Sequence, residues 1–220
     1  MTIDELYKFV QYVANKEQRG FIKPSEFDLL AKRAQLDVIK QRVGRASPAD
    51  QAIGYKVTSA LFDELYPVII LDAVVNHTNG AFQFPDNYLY FLSASNGDGE
   101  DGAFVNMVGH GEWVSRMQST LVAPSGNRPI GVVGDSGFRV WGGSELTSNI
   151  TLSYIKNPPD PSWNFVTVND IEVYSATGSV QLTLPESTHM EIAHRILTYV
   201  SVNLREADMV QYSAAITKEN

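Results

Sequence analysis

The chain contains no cysteine, which removes disulfides, thiolate nucleophiles and cysteine-ligated zinc or iron–sulfur centres together. It also lacks a long apolar run. The longest, around residues 68–75, is interrupted by Asp72 and falls well short of the roughly 20 residues a membrane-spanning helix needs. The opening Met1-Thr-Ile-Asp-Glu has neither the basic nor the apolar stretch of a signal peptide, so neither a secretion route nor a membrane anchor is expected. Positive charge is in deficit. Asp and Glu number 25 against 17 Lys and Arg, a formal charge of −8, the wrong overall sign for a protein that must displace counterions from phosphates. Solubility explains such a balance first, and a surface that lets DNA slide past explains it second. No GxxxxGK[ST] loop, internal repeat or low-complexity tract is present.

Apolar residues make up 44% of the 220 positions and charged residues 19%, enough to build a real core and too little charge for a disordered chain. The first third is patterned as helix. Leu6, Phe9, Val10 and Val13 recur on one helical face, and the polar stretch 15–23, with Gly20, ends that segment. A second helix follows Pro24, with Ser25 as its expected N-cap and Phe27, Leu30, Ala31, Ala34 and Val38 on one face, and stops near Gly44. A third is expected from Ser47-Pro48-Ala49-Asp50 to about Tyr66, closed by Pro67.

From Val68 to about Leu184 the pattern changes to β-branched, aromatic and glycine-rich. Alternation with period two appears in Phe82–Phe84, Tyr88–Leu92 and Ile150–Tyr154. Turn residues punctuate it at Asn79-Gly80, Ser125–Asn127, Gly134–Gly137, Gly142-Gly143 and Asn157–Pro161. Beyond Leu184-Pro185 a helical stripe returns in Ile192, Ile196, Tyr199, Val200 and Leu204, with Leu197 at its margin. This order predicts an α+β fold in which a terminal helical bundle carries an inserted antiparallel β domain. The expected parts are an N-terminal helical segment (1–67), a β-rich insertion (68–184) and a C-terminal helix (185–220) packed on the first helices, all one interlocked unit.

Four patterns carry a suggestion of chemistry, and each has a plainer explanation. Gly134-Asp135-Ser136-Gly137 resembles the nucleophile loop of chymotrypsin-like proteases. Its nearest distant histidine, His77, is too close in sequence for that two-barrel layout, and Phe138 replaces the second trailing glycine, so a hairpin turn between residues 130–133 and 138–141 is expected. His189 and His194 are five residues apart, which turns their rings about 140° away from each other on a helix, so helix-surface histidines are expected. Asn96–Gly102 is acidic and glycine-rich but puts Asp101 and Met107 where a calcium-binding EF-hand loop needs Gly and Glu. His110 and Glu112 would share a face on a strand, with no third partner in view. No metal, cofactor or catalytic residue is expected. Trp113, Arg116, Met117, Trp141, Tyr154, Trp163 and Phe165 are of the types that anchor either a small core or a protein contact.

Several stretches resemble a family of virion structural proteins from crAss-like and related podophages of Bacteroidetes hosts. They are the opening run from Ile3 to Phe27; the block Glu112, Trp113, Arg116, Ser119, Leu121, Ala123, Pro124, Pro129 and Ile130; the run Leu152 to Pro158 leading to Trp163; and Leu182–Glu186 followed by a helix. The likeness is thinnest over residues 68–111. It implies a ring subunit of the head–tail connector or tail, a virion protein made in the host cytoplasm, assembled as a homo-oligomer that is commonly twelvefold, between the portal and other neck or tail rings. DNA would pass through such a ring without sequence-specific binding. Asp98, Glu100 and Asp101 in the acidic loop, Trp113 and Arg116, and Pro158, Pro159 and Trp163 at the proline-rich loop are then the candidate contact residues. The alternatives are a β-sandwich module of the tail that binds host glycan through an aromatic platform, and a hydrolase built on Ser136.

Overall fold

The computed structural model describes residues 1–16, 22–45, 62–97, 102–135, 137–169 and 171–203. The chain is α+β, with helices towards both ends and a β region between them. It divides into two compact units, one of residues 1–67 and 158–220, the other of residues 68–157. Residues 158–184, expected in the β insertion, therefore belong with the helices, and the single interlocked unit of the sequence reading resolves into two.

In the helical unit, α1 (Ile3–Lys16) starts at a capping box. Glu5 N–H donates to Thr2 Oγ1 at 3.2 Å while Thr2 N–H donates to Glu5 Oε2 at 2.8 Å, satisfying two amides that the first turn leaves over. The second helix, α2 (Pro24–Arg45), begins one step earlier than expected. Pro24 takes the first helical position, where its missing N–H costs nothing, and Glu26 folds back to accept from Lys23 N–H at 3.3 Å; Ser25 is not the cap. The expected third helix lies largely outside the described residues, of which 62–65 are helical and lead into a 3-10 turn, Tyr66–Val68.

Ile3, Leu6, Val10 and Ala14 of α1 and Phe27, Ala31, Ala34, Val38 and Ile39 of α2 are buried. The last described helix of the chain, His189–Asn203, packs on both α1 and α2 through Ile192, Ala193, Ile196, Leu197 and Val200. Polar residues share that core, Gln35 and Arg42 among them, each with partners. Gln35 accepts Thr183 N–H at 3.0 Å, and the Arg42 guanidinium reaches Glu64 at 2.5 Å and Glu191 at 2.7 Å. A two-stranded ribbon completes the unit, Phe165–Val168 against Ile171–Tyr174.

The second unit holds two sheets. Strands β1 (Ile69–Val75), β4 (Tyr88–Asn96), β5 (Ala103–Phe104) and β9 (Ile150–Lys156) form one, in the order β1-β9-β4-β5. Strands β2 (His77–Thr78), β3 (Ala81–Phe82), β6 (Asn106–Met107), β7 (Ile130–Gly134) and β8 (Gly137–Trp141) form the other, in the order β2-β3-β8-β7-β6. Both contribute to one apolar cluster that includes Val75, Phe82, Ala94, Phe138, Val140, Ile150, Leu152 and Tyr154. Aromatic contacts run through it: Phe82 stacks on Phe138 at 5.3 Å and Phe84 on Tyr88 at 4.1 Å.

Among the described residues all strand pairings but one are antiparallel. The exception is β6 with β7, and parallel neighbours cannot be joined by a tight turn. The connection between them carries a helix the sequence reading did not foresee, His110–Gln118, here α3, which packs against β7. An ion pair one turn apart, Arg116 to Glu112 at 2.6 Å, supports it, but it buries none of its residues. Its half-buried residues, Trp113, Arg116 and Met117, recur at helical spacing, but its nine residues are too few for that period to stand out in the sequence.

Candidate interaction surface

The β6–α3–β7 crossover makes a concave feature in this unit. A cleft of about 200 Å3 lies where the first turn of α3 meets the end of the β7–β8 hairpin, and its walls include His110, Trp113, Val132, Asp135 and Arg139. His110 and Trp113 are three residues apart on α3, so they lie on one helical face. Arg139 is exposed on β8 and Asp135 is exposed just past β7. Gly134 and Gly137 face each other across the hairpin, the reversal expected there. Gly137 has φ +130°, and a Cβ on it would lie 2.1 Å from the Phe82 carbonyl oxygen, so only glycine lets β8 lie this close to β3.

Of the residues singled out in the sequence, Trp113 is half-buried in the cleft wall and Arg116 is held by Glu112. His110 and Glu112, expected on one strand face, sit instead on a helix, where two residues are about 200° apart, so they do not form a pair. Trp163 is not at the surface. It is 5% exposed at the centre of the helical unit, its ring 4.3 Å from Tyr7 and 5.7 Å from Phe165. Its indole N–H donates to Asp4 at 3.1 Å and its backbone N–H to Asp28 at 2.8 Å. Pro158 is buried beside exposed Pro159. Asp98, Glu100 and Asp101 lie outside the described residues, in the connection between β4 and β5, and Ser136 does so as well.

The histidines divide by environment. His189, expected on a helix surface, is buried, and its Nε2 lies 2.9 Å from the Leu184 carbonyl, which orients the ring as a donor. His194 is half-buried one turn on. His77 packs edge-on against Phe82 at 5.2 Å. Among the described residues no three of His, Asp and Glu are grouped to hold a metal ion, and no helix is long and apolar enough to cross a membrane. The groups with displaced acidity are structural. Desolvation pushes the Tyr7, Tyr88 and Tyr199 phenols above their ordinary value, and Asp37 at the Tyr199 hydroxyl pushes in the same direction.

Exposed large apolar side chains are spread over the chain, with Tyr12 and Leu29 on helices and Val133 on the inner strand β7 among them. In the four-stranded sheet they mark the two outer strands: Leu71 and Val74 on β1 at one end, Phe104 on β5 at the other, 68%, 61% and 77% exposed. Asp72, at φ 54°, makes a bulge in β1 that interrupts its register with β9, and its N–H donates to Ser153 Oγ at 3.2 Å. In the ribbon of the helical unit, Val166, Val168 and Val173 are about half exposed. Val166 pairs with Val173, and residues two apart on a strand share a side, so the three form one apolar face. Leu121 and Val122 add a further patch after α3. No protein-family model matches the chain, and no curated protein matches it.

Proposed function

We propose that the protein is a structural ring subunit of a phage virion, part of the head–tail connector or tail through which DNA passes. The observation that carries this reading is the placement of exposed apolar residues on both outer strands of one sheet, Leu71 and Val74 on β1 and Phe104 on β5. Single exposed apolar residues are ordinary. Two such patches at opposite ends of a sheet, each beside unpaired strand backbone, suit head-to-tail contact in which one end of a subunit meets the other end of the next. Contacts of that kind close into rings when the rotation from one subunit to the next completes a full turn, and run on as filaments when it does not.

The reading joins this geometry to the resemblance of the sequence to podophage virion proteins and to the acidic balance of −8, which would keep DNA mobile within a bore. The partners would be further copies of the chain, in a ring expected to be twelvefold, with the portal and neighbouring neck or tail rings above and below. The mechanism is physical: shape and surface contact, with no bond made or broken.

Light scattering and negative-stain images of the purified chain, alone and mixed with portal and tail partners, test the reading. Ring-shaped oligomers are expected. Leu71→Asp and Phe104→Asp should each reduce them to smaller species while the circular dichroism spectrum is unchanged. A chain that remains monomeric at high concentration and adds no ring to its partners overturns the proposal.

A further inference from the structure

The cleft at the α3–β7 crossover has a composition that the ring reading does not use. It lies at the carboxyl end of β7, past the two residues that pair with β6, and next to the amino end of the helix that joins the two parallel strands, a position resembling the one where open α/β arrangements place their ligands. The first turn of α3 has no side-chain cap at Gly109, so its backbone amides remain available as donors beside the cleft. The wall combines an aromatic residue, Trp113, aliphatic ones, Ala81, Val132 and Val133, and three polar residues, His110, Asp135 and Arg139.

Three properties narrow the ligand. At about 200 Å3, the cleft is smaller than the roughly 300–1,000 Å3 of sites for drug-sized ligands and cofactors; it has room for a single small ring. Charge is the second property. The wall contains one basic residue, Arg139, and one acidic residue, Asp135, whose opposite charges offset and so favour neither a phosphate nor an ammonium group. The third is the pairing of an aromatic residue with donors and an acceptor, which matches a ring that is apolar on its C–H face and polar at its rim.

We propose that this cleft binds one neutral hexopyranose unit of a glycan. The Trp113 indole would form the platform for the C–H face of the sugar, while Arg139, His110 and the α3 amides donate to ring hydroxyls and Asp135 balances Arg139. This reading does not depend on ring assembly: a subunit of any oligomeric state could carry the site.

Saturation-transfer NMR on the full chain tests it, because the method tolerates large assemblies and weak binding. The probes are methyl α-glucopyranoside, methyl β-galactopyranoside, methyl α-mannopyranoside and methyl N-acetyl-β-glucosaminide. At least one should receive saturation at its ring C–H protons, and the transfer should be saturable. Trp113→Ala should weaken that binding at least ten-fold and Arg139→Ala several-fold. Both variants should keep the fold, since α3 buries no residue and Arg139 is exposed. Three results would each overturn the proposal: no saturable transfer to any of the four sugars, transfer unaffected by both substitutions, or displacement of the sugar by inorganic phosphate at equal concentration, which would make the cleft an anion site.

Discussion

The two units of this protein solve the problem of burial with different chemistry. The helical unit draws its elements from segments far apart in sequence and ties them with polar cross-links. Arg42 on α2 meets Glu191 on the closing helix, Tyr199 on that helix meets Asp37, Arg195 meets Gln41, and Asp28 holds both Ser162 and Trp163. The β unit has a drier core, in which Phe82, Phe84, Tyr88, Phe138 and Tyr154 lie in a chain of ring contacts. Apolar burial is non-directional, whereas a buried guanidinium is stabilising only when its particular partners are in place. The helical unit therefore specifies which helix meets which by its polar pairs, and the β unit relies on volume and strand register.

Removing a ring from the β core should have the largest effect. Phe138→Ala deletes a side chain with no exposure that touches both Phe82 and Phe84, at an expected cost of about 3–5 kcal/mol. Hydrogen exchange should show lost protection across β3, β7 and β8, with less change in α1 and α2. Equal loss in both units would break the contrast. Gly137→Ala acts on the same unit through the backbone, by strain at φ +130° and contact with Phe82. About 2–4 kcal/mol is expected, read as a lowered denaturant midpoint.

In the helical unit, Arg42→Met should cost about 2–4 kcal/mol, since it takes the guanidinium from Glu64 and leaves the mostly buried Glu191 with Arg195 alone. Lys32→Ala breaks a pair whose members are 44% and 59% exposed, and should cost less than about 1 kcal/mol. Urea titration of both variants sharpens the comparison, and equal costs would show that the buried network is not special. The smallest effect is on alkaline stability. The folded state holds the Tyr7 and Tyr199 protons more tightly than the unfolded state. Stability from these groups is thus complete below the ordinary tyrosine range near 10 and falls as pH rises through it. Tyr199→Phe should flatten that fall, and a midpoint that is independent of pH up to about 11 would contradict the assignment.

Much of the helical unit was legible from period alone. Leu6, Val10, Phe27, Ala31, Ala34, Val38, Ile192 and Ile196 were all expected on core faces and are all buried. The β strands were legible where alternation was strong, as in Tyr88–Asn96 and Ile150–Lys156. Two features were not. Trp163 reads equally as core or contact until Tyr7, Asp4 and Asp28 are seen around it, because aromatic identity does not encode which side of a turn faces inwards. Helix α3 is short and only half-buries one face, Trp113, Arg116 and Met117, so its period is faint; its place follows from the need to join two parallel strands. The cleft depends on that crossover, so it could not be read before the pairing of β6 with β7 was known.

What the amino-acid order determined unaided is the chemical character of the chain: no cysteine chemistry, an acidic balance, helical periods towards both ends and strand periods between them. These are local properties, set by side-chain identity and spacing along one element. Which segments share a core, where the units divide after residues 67 and 157, and which residues face a common cleft were decided only by the tertiary structure. Those outcomes rest on contacts between residues distant in sequence, and their energies depend on what lies opposite each side chain.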